Sequence, residues 1–175
     1  TDMDSWSGAG GVLLISPQPL VTNTVSSYLR IGPGHGGLTA TVDDNDRFGR
    51  SVSSLGDLDG DGVPDLAVGA YYDDDGGANR GAVHILFLNA DGTVKAEQKI
   101  SSTQGGLAGP LGNGDHFGVS VASLGDFDGD NITDLAVGVP SDGRAERGAV
   151  YMSLLHTAGT VKKEQQISST QGGLT

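Results

Sequence analysis

The sequence contains no cysteine, which excludes a disulfide framework, a thiolate metal centre and a cysteine nucleophile together. It is also poor in positive charge: 10 Lys plus Arg stand against 22 Asp plus Glu, a formal net charge of −12. A duplex-binding protein needs a basic stripe, so nucleic acid and anionic membrane surfaces are not expected partners. No uninterrupted apolar run exceeds four residues, Val12–Ile15 being one, against the ~18 needed to span a bilayer as a helix; no membrane insertion is expected. A Gly-x-Ser-x-Gly elbow and a phosphate loop are both missing, so no enzyme class is marked and no catalytic residue is expected. The chain opens at Thr1 and reads as an excerpt or a processed product, without a targeting segment to place it.

Glycine, by contrast, is abundant, with 30 residues in a chain of 175, while Leu, Ile, Val and Phe together make 42. That apolar share, about 24%, clears the floor below which disorder is expected. The length is about one domain's worth. The chain is therefore folded and rich in turns.

Internal repetition organises it. Asp46-Arg-Phe-Gly-Arg-Ser-Val-Ser-Ser-Leu-Gly-Asp57 aligns with Asp115-His-Phe-Gly-Val-Ser-Val-Ala-Ser-Leu-Gly-Asp126 at an offset of 69 residues. The offset persists from Asp65-Leu-Ala-Val-Gly69 to Asp134-Leu-Ala-Val-Gly138, then falls to 67 for Gly81-Ala-Val83 against Gly148-Ala-Val150. Ile100-Ser-Ser-Thr-Gln-Gly-Gly-Leu107 matches Ile167-Ser-Ser-Thr-Gln-Gly-Gly-Leu174 at the same reduced offset. The indel lies between Tyr71 and Arg80, which marks a loop. Residues 1–45 follow the register more loosely, with Gly11-Val-Leu-Leu-Ile15 in the place of Gly81-Ala-Val-His-Ile85. The expected units are a partial one at 1–45, holding the last two strands of a repeat, and two whole ones at 46–114 and 115–175.

Within a unit the pattern is β. Ser51–Leu55 and Leu66–Ala70 are short, partly alternating and bounded by Gly or Asp, and Gly81–Leu88 is a more continuous apolar strand. Asn89-Ala-Asp-Gly92 is a hairpin signal leading into Thr93–Ile100. Eight residues without an amphipathic stripe make a poor helix, so this last segment is expected to be an outer strand, its Lys95, Glu97 and Lys99 guarding the edge against aggregation. Four strands per roughly 68 residues is the arithmetic of a β-propeller blade. The chain is expected to be all-β, with ten strands in four-stranded antiparallel sheets, or about two and a half blades. Propellers close with about 4–8 blades, so neighbouring blades from a longer chain, or self-association, are expected to complete the assembly.

Between the first two strands of each whole unit lies a run of carboxylates, Asp57-Leu-Asp59-Gly-Asp61-Gly-Val63-Pro-Asp65 and Asp126-Phe-Asp128-Gly-Asp130-Asn-Ile132-Thr-Asp134. Carboxylates at positions 1, 3, 5 and 9 of a tight turn repel one another unless a cation intervenes. Hard oxygen ligands at this density suit Ca²⁺, which takes six to eight oxygens at about 2.3–2.6 Å, and the backbone carbonyl at position 7, Val63 or Ile132, would add one more. Position 6 needs a left-handed backbone, which Gly62 supplies freely and Asn131 tolerates. The bland alternative is a pair of solvated hairpin turns, but all four spacings recur while the residues between them vary. An EF-hand fails, because its loop needs a Glu at position 12 between helices, and that position is Val68 or Val137 inside a β-like run.

Phe48-Gly49, the acidic loop and Leu66-Ala-Val-Gly-Ala70 together resemble an FG-GAP repeat, the blade unit of the integrin α-subunit head, and Phe117-Gly118 with Leu135-Ala-Val-Gly-Val139 resembles a second. The resemblance implies a β-propeller, with Ca²⁺ held in first-to-second-strand hairpins by Asp57, Asp59, Asp61 and Asp65 and by Asp126, Asp128, Asp130 and Asp134. Animal integrin heads carry disulfides and this chain has no cysteine; its Gly-rich, near-identical repeats are closer in style to bacterial secreted or surface versions.

The remaining residues carry blander expectations. Phe48 and Phe117 are read as core; His35, His84, His116 and His156 do not recur in register, so no zinc site is expected. Asp73–Asp75 are read as a solvated loop, and Met3 and Trp6 lie in a tail of unassigned structure. Two Ca²⁺ sites of the weak kind favour an extracellular or surface location, where the ion is millimolar. The function expected is a Ca²⁺-dependent recognition or adhesion module with a protein or surface ligand. The alternatives are an accessory propeller of a larger secreted enzyme and a structural spacer.

Overall fold

The computed structural model describes residues 11–17, 25–141 and 147–169. Met3, Trp6, Asp142 and the last six residues of the second repeat lie outside the described residues. Among the described residues there are ten strands and no helix: β1 (Val12–Pro17), β2 (Val25–Ile31), β3 (Ser51–Gly56), β4 (Asp65–Ala70), β5 (Ala82–Leu88), β6 (Val94–Ile100), β7 (Ser120–Gly125), β8 (Asp134–Val139), β9 (Ala149–Leu155) and β10 (Val161–Ser168). Among the described residues, no helix is long and apolar enough to cross a membrane.

The strands form a β1–β2 hairpin, a middle sheet β3-β4-β5-β6 and a last sheet β7-β8-β9-β10, in which chain neighbours are sheet neighbours. All pairings are antiparallel, and the two large sheets share one register. Ser54 faces Leu66 and Ser123 faces Leu135, after which both ladders slip so that Gly56 meets Asp65 and Gly125 meets Asp134. These are the four-stranded antiparallel sheets expected of propeller blades. The turn at Asn89–Gly92 closes as its sequence predicts, the Gly92 N–H donating to Asn89 O at 2.8 Å with Gly92 left-handed at φ 84°.

The middle sheet is covered on both faces, which explains why β5 is buried along its whole length. Val83, Ile85 and Phe87 point into one cluster with Leu55, Leu58 and Ile100, packed against Phe117, Leu135, Val137, Tyr151 and Leu155 of the last unit. Leu86 and Leu88 point the other way, with Val68, Ala70 and Val94, against Val12, Ile31, Leu38 and Phe48. The pleat alternates side chains between faces, so one strand serves two cores.

Phe48 and Phe117 are buried and meet a ring edge-on, that of His84 for Phe48 and that of Tyr151 for Phe117, with centroids 5.3 and 5.8 Å apart. The glycine after each Phe is where successive units touch. A Cβ on Gly49 would lie 2.2 Å from Gly11 O, and one on Gly118 would lie 2.4 Å from Ala82 O; both have φ near +87°, at +86° and +89°. Only glycine tolerates that approach in that conformation.

Two expectations change. β6 is the outer strand, but its charges do more than guard an edge. Glu97 accepts hydrogen bonds from the Thr39 N–H at 3.2 Å and the Thr39 hydroxyl at 2.7 Å, and Glu164 likewise accepts from the Ala108 and Gly109 N–H groups. Beside them the Val94 N–H donates to Gly36 O and the Val161 N–H to Gly105 O, each at 2.8 Å. Each outer strand is thereby stapled to the loop that follows the preceding unit. The Asp73–Asp75 segment, in turn, is not simply solvated. Asp73 is buried with Lys99 Nζ at 2.7 Å, and Asp75 accepts from the Ser101 and Thr103 hydroxyls at 2.6 Å. The insertion that distinguishes this loop from its counterpart supplies its own partners on β6 and the turn that follows it.

Candidate metal centres

The acidic loops join β3 to β4 and β7 to β8. Their first aspartate organises the turn. Asp57 Oδ1 accepts the Gly60 and Asp61 N–H groups and Oδ2 accepts that of Gly62, all at 2.8 Å. Asp126 does the same for Gly129 at 2.7 Å and Asn131 at 2.9 Å. Side-chain capping of consecutive N–H groups is what short aspartates do in turns. Gly62 and Asn131 are left-handed, at φ 89° and 68°, as position 6 demands. The third carboxylate is held as well, Asp61 Oδ1 accepting the Val63 N–H at 2.8 Å and Asp130 Oδ1 the Ile132 N–H at 2.9 Å.

The consequence is a convergence of oxygens. Asp57, Asp59 and Asp61 each offer a carboxylate oxygen within 4.8 Å of the others, and Asp126, Asp128 and Asp130 do the same. These are exposed, all-oxygen groups, and no histidine joins either. Asp65 and Asp134 stand outside the triads. Both are buried and act as clips between strands: Asp65 accepts the Leu58 N–H at 2.9 Å and the Leu88 N–H at 3.0 Å, Asp134 the Phe127 and Leu155 N–H groups at 3.0 Å. Burial pushes the Asp65 carboxyl upward, against the pull of the Leu88 and Leu58 N–H groups. The side chains of Val63 and Ile132 pack on the neighbouring cores, anchoring position 7.

One participant was not read from the sequence. Lys95, the second residue of β6, places its Nζ 2.8 Å from Asp59 Oδ2 and also on Asp61 Oδ2. Lys162 of β10 repeats this, 2.7 Å from Asp128 Oδ2 and on Asp130 Oδ2. Asp59 and then Asp61 hold the Lys95 ammonium well above its ordinary pKa, and Lys95 holds the Asp61 carboxyl below the usual carboxylate range. A signal existed: 95 and 162 are separated by 67, the offset of the second half of the repeat.

The FG-GAP repeat family model matches residues 48–86 and 117–151, each match running from the Phe of a Phe-Gly pair through an acidic loop into the third strand of its sheet. Among characterised proteins the chain is similar to integrin alpha-5 of Xenopus laevis, at 36% identity over 130 residues, 72% of this chain and 12% of that protein. It is similar to integrin alpha-PS2 of Drosophila melanogaster, at 36% over 129 residues, 71% of this chain and 9% of the relative. It also resembles integrin alpha-3 of Cricetulus griseus, at 38% over 121 residues, 69% and 10% respectively. The chain thus spans about a tenth of the length of these relatives. The two matched segments coincide with the two sheets that carry the acidic loops, and the chain belongs to the FG-GAP repeat proteins, as a homologue of part of the integrin α subunits.

Proposed function

We propose that this chain is a calcium-binding β-propeller module of an extracellular or cell-surface protein, serving protein or ligand recognition of the adhesion type. The observation that carries the reading is the pair of carboxylate triads, built twice in one register at the same place in two sheets. The donor set fits the ion: it is all oxygen, as Ca²⁺ prefers, and each triad already attracts a cationic group, the ammonium of Lys95 or Lys162. In each loop, the first, third and fifth positions (Asp57, Asp59 and Asp61, or Asp126, Asp128 and Asp130) would hold the ion, with the carbonyl of Val63 or Ile132. Asp65 and Asp134 would contribute through lone pairs left over from their backbone contacts. Bound ion would neutralise the loops and tie β3 to β4 and β7 to β8. Isothermal titration tests this: two Ca²⁺ per chain are expected, falling to one in Asp59→Asn, and an absence of binding heat with Ca²⁺ would refute it.

The last sheet supports a second element of the reading. Val150, Met152 and Leu154 of β9, with Phe127, line an open apolar face. The equivalent residues of the middle sheet, Val83, Ile85, Phe87 and Leu58, are covered by the next sheet. A further blade of the same repeat type is the occupant this face fits, because the covered face shows what its register accepts.

A further inference from the structure

In both repeats the fourth strand sends a lysine back across the sheet to the acidic loop. Lys95 reaches Asp59 and Asp61, and Lys162 reaches Asp128 and Asp130. The two lysines share a repeat position and each lands on the third- and fifth-position carboxylates of its own loop, whereas Lys99, further along β6, turns to Asp73 instead. Lys95 therefore belongs to the loop's design rather than to a general basic edge. We propose that Lys95 and Lys162 are tethered competitors of the divalent ion: each ammonium occupies the third- and fifth-position carboxylates of its loop and is displaced when the ion binds, which sets the calcium affinity of that loop. The inference rests on the calcium reading above.

First, the loop's own demands are met by the protein alone. Asp57 caps three N–H groups, Asp61 caps a fourth, and the ammonium offsets the charge of the two carboxylates that face each other. Second, the same oxygens cannot serve both cations well. Ca²⁺ sits about 2.3–2.6 Å from its ligand oxygens, and Lys95 Nζ is 2.8 Å from Asp59 Oδ2, so an ion on that oxygen would lie within about 5 Å of a positive charge. Third, the ion pairs are accessible: the Lys95 side chain is 24% exposed and that of Asp61 37%. Pairs of this kind contribute little net stability, so a divalent ion can evict the ammonium, but only against its repulsion.

Site-resolved titration tests the proposal. Ca²⁺ is added to the whole chain and followed by NMR at the Gly62 and Asn131 amides, one in each loop. Lys95→Met, which keeps the stem and deletes the charge, is expected to tighten binding about tenfold at the 57–65 loop, the effect of one charge on a divalent ion several ångströms away under water-like screening. The 126–134 loop of the same molecule should be unchanged and serves as the internal control; Lys162→Met should give the mirror result. Lys95→Arg, which retains the charge, should bind no more tightly than the parent. Equal or weaker binding in Lys95→Met, with the parent still binding two ions, would overturn the competitor role and leave the calcium reading intact. Absence of binding by parent and variants alike, up to about 10 mM and so beyond the weakest extracellular modules, would overturn the calcium reading and this inference with it.

Discussion

The middle and last sheets are nearly the same sequence folded in the same register, yet they differ in one respect and agree in another. Leu58 is 3% exposed, while Phe127, its counterpart, is 60% exposed. The difference lies in what stands next to each sheet, since the middle one is backed by the last and the last has an open face. The acidic loops, meanwhile, are almost superimposable in their bonding: paired hydrogen bonds such as Val63 N–H to Asp61 and Ile132 N–H to Asp130 differ by 0.1 Å. The loops are therefore specified locally, by aspartates bonding their own turn, while the apolar faces acquire their energetic value only from a neighbouring blade.

The largest expected effect breaks the comparison at the core. Ile85→Ala should cost about 3–4 kcal/mol by urea denaturation, the usual range for a cavity in a packed interior. Met152→Ala, at the equivalent position of the last sheet, should cost less, about 1–2 kcal/mol, because Met152 is partly exposed where Ile85 is fully buried. Equal costs would mean that a partner already covers the last sheet. Next comes the split among the aspartates. Asp65→Ala in calcium-free buffer should lose about 2–3 kcal/mol, since it strands two buried N–H groups. Asp61→Ala should change stability little there, its ion pair being exposed, and should lose calcium binding instead.

A third contrast sets His84 against Tyr151, which occupy the same repeat position. His84 is buried with both ring nitrogens unpartnered; desolvation, helped by nearby Lys99, lowers its pKa to about 4. With an unfolded value of 6.5, the unfolded chain binds more protons between pH 6.5 and 4, so stability falls as pH falls through that window. Going from pH 7 to 5 should remove about 2 kcal/mol through this group. Asp46 acts in the opposite sense: burial raises its carboxyl to about 6, so its penalty at neutral pH is relieved on acidification. The difference in pH slope between the parent and His84→Phe isolates the histidine; parallel slopes would contradict its burial as a neutral ring. The smallest effect concerns the open face. The chain should self-associate weakly by light scattering, and Phe127→Glu should return it to monomer with little change in melting temperature. A parent that stays monomeric at all concentrations would argue against a blade-shaped partner for that face.

Most of the fold was legible because the chain writes its blade twice. A repeat exposes strand positions, turns and an indel that no single copy would distinguish from chance. The Phe-Gly pairs were legible as core; that their glycines mark backbone-to-backbone contact between units was not, since it depends on how Gly118 meets Ala82 across the seam. The acidic loops were readable from spacing. Lys95 escaped because it lies 34 residues from Asp61 and reaches it through the curl of a four-stranded sheet, where a long side chain on an outer strand reads as solubilising charge. The two backbone contacts of Asp65 escaped for a related reason: they arise from the slip in register at Gly56 and from the end of β5, neither of which is encoded in the loop itself. Asp73 was misread as solvated because the shorter loop of the second repeat offers only Asp142 against it, and its partner Lys99 stands on β6 opposite His84 of β5.

Thermal unfolding with and without calcium tests the central claim most directly. If each site binds with a dissociation constant near ~0.1 mM, about 1 mM Ca²⁺ adds about 1.4 kcal/mol per site. The melting temperature should then fall by several degrees when a chelator is added, recover with Ca²⁺ and recover less with Mg²⁺. A melting curve indifferent to both the chelator and the ion would contradict it.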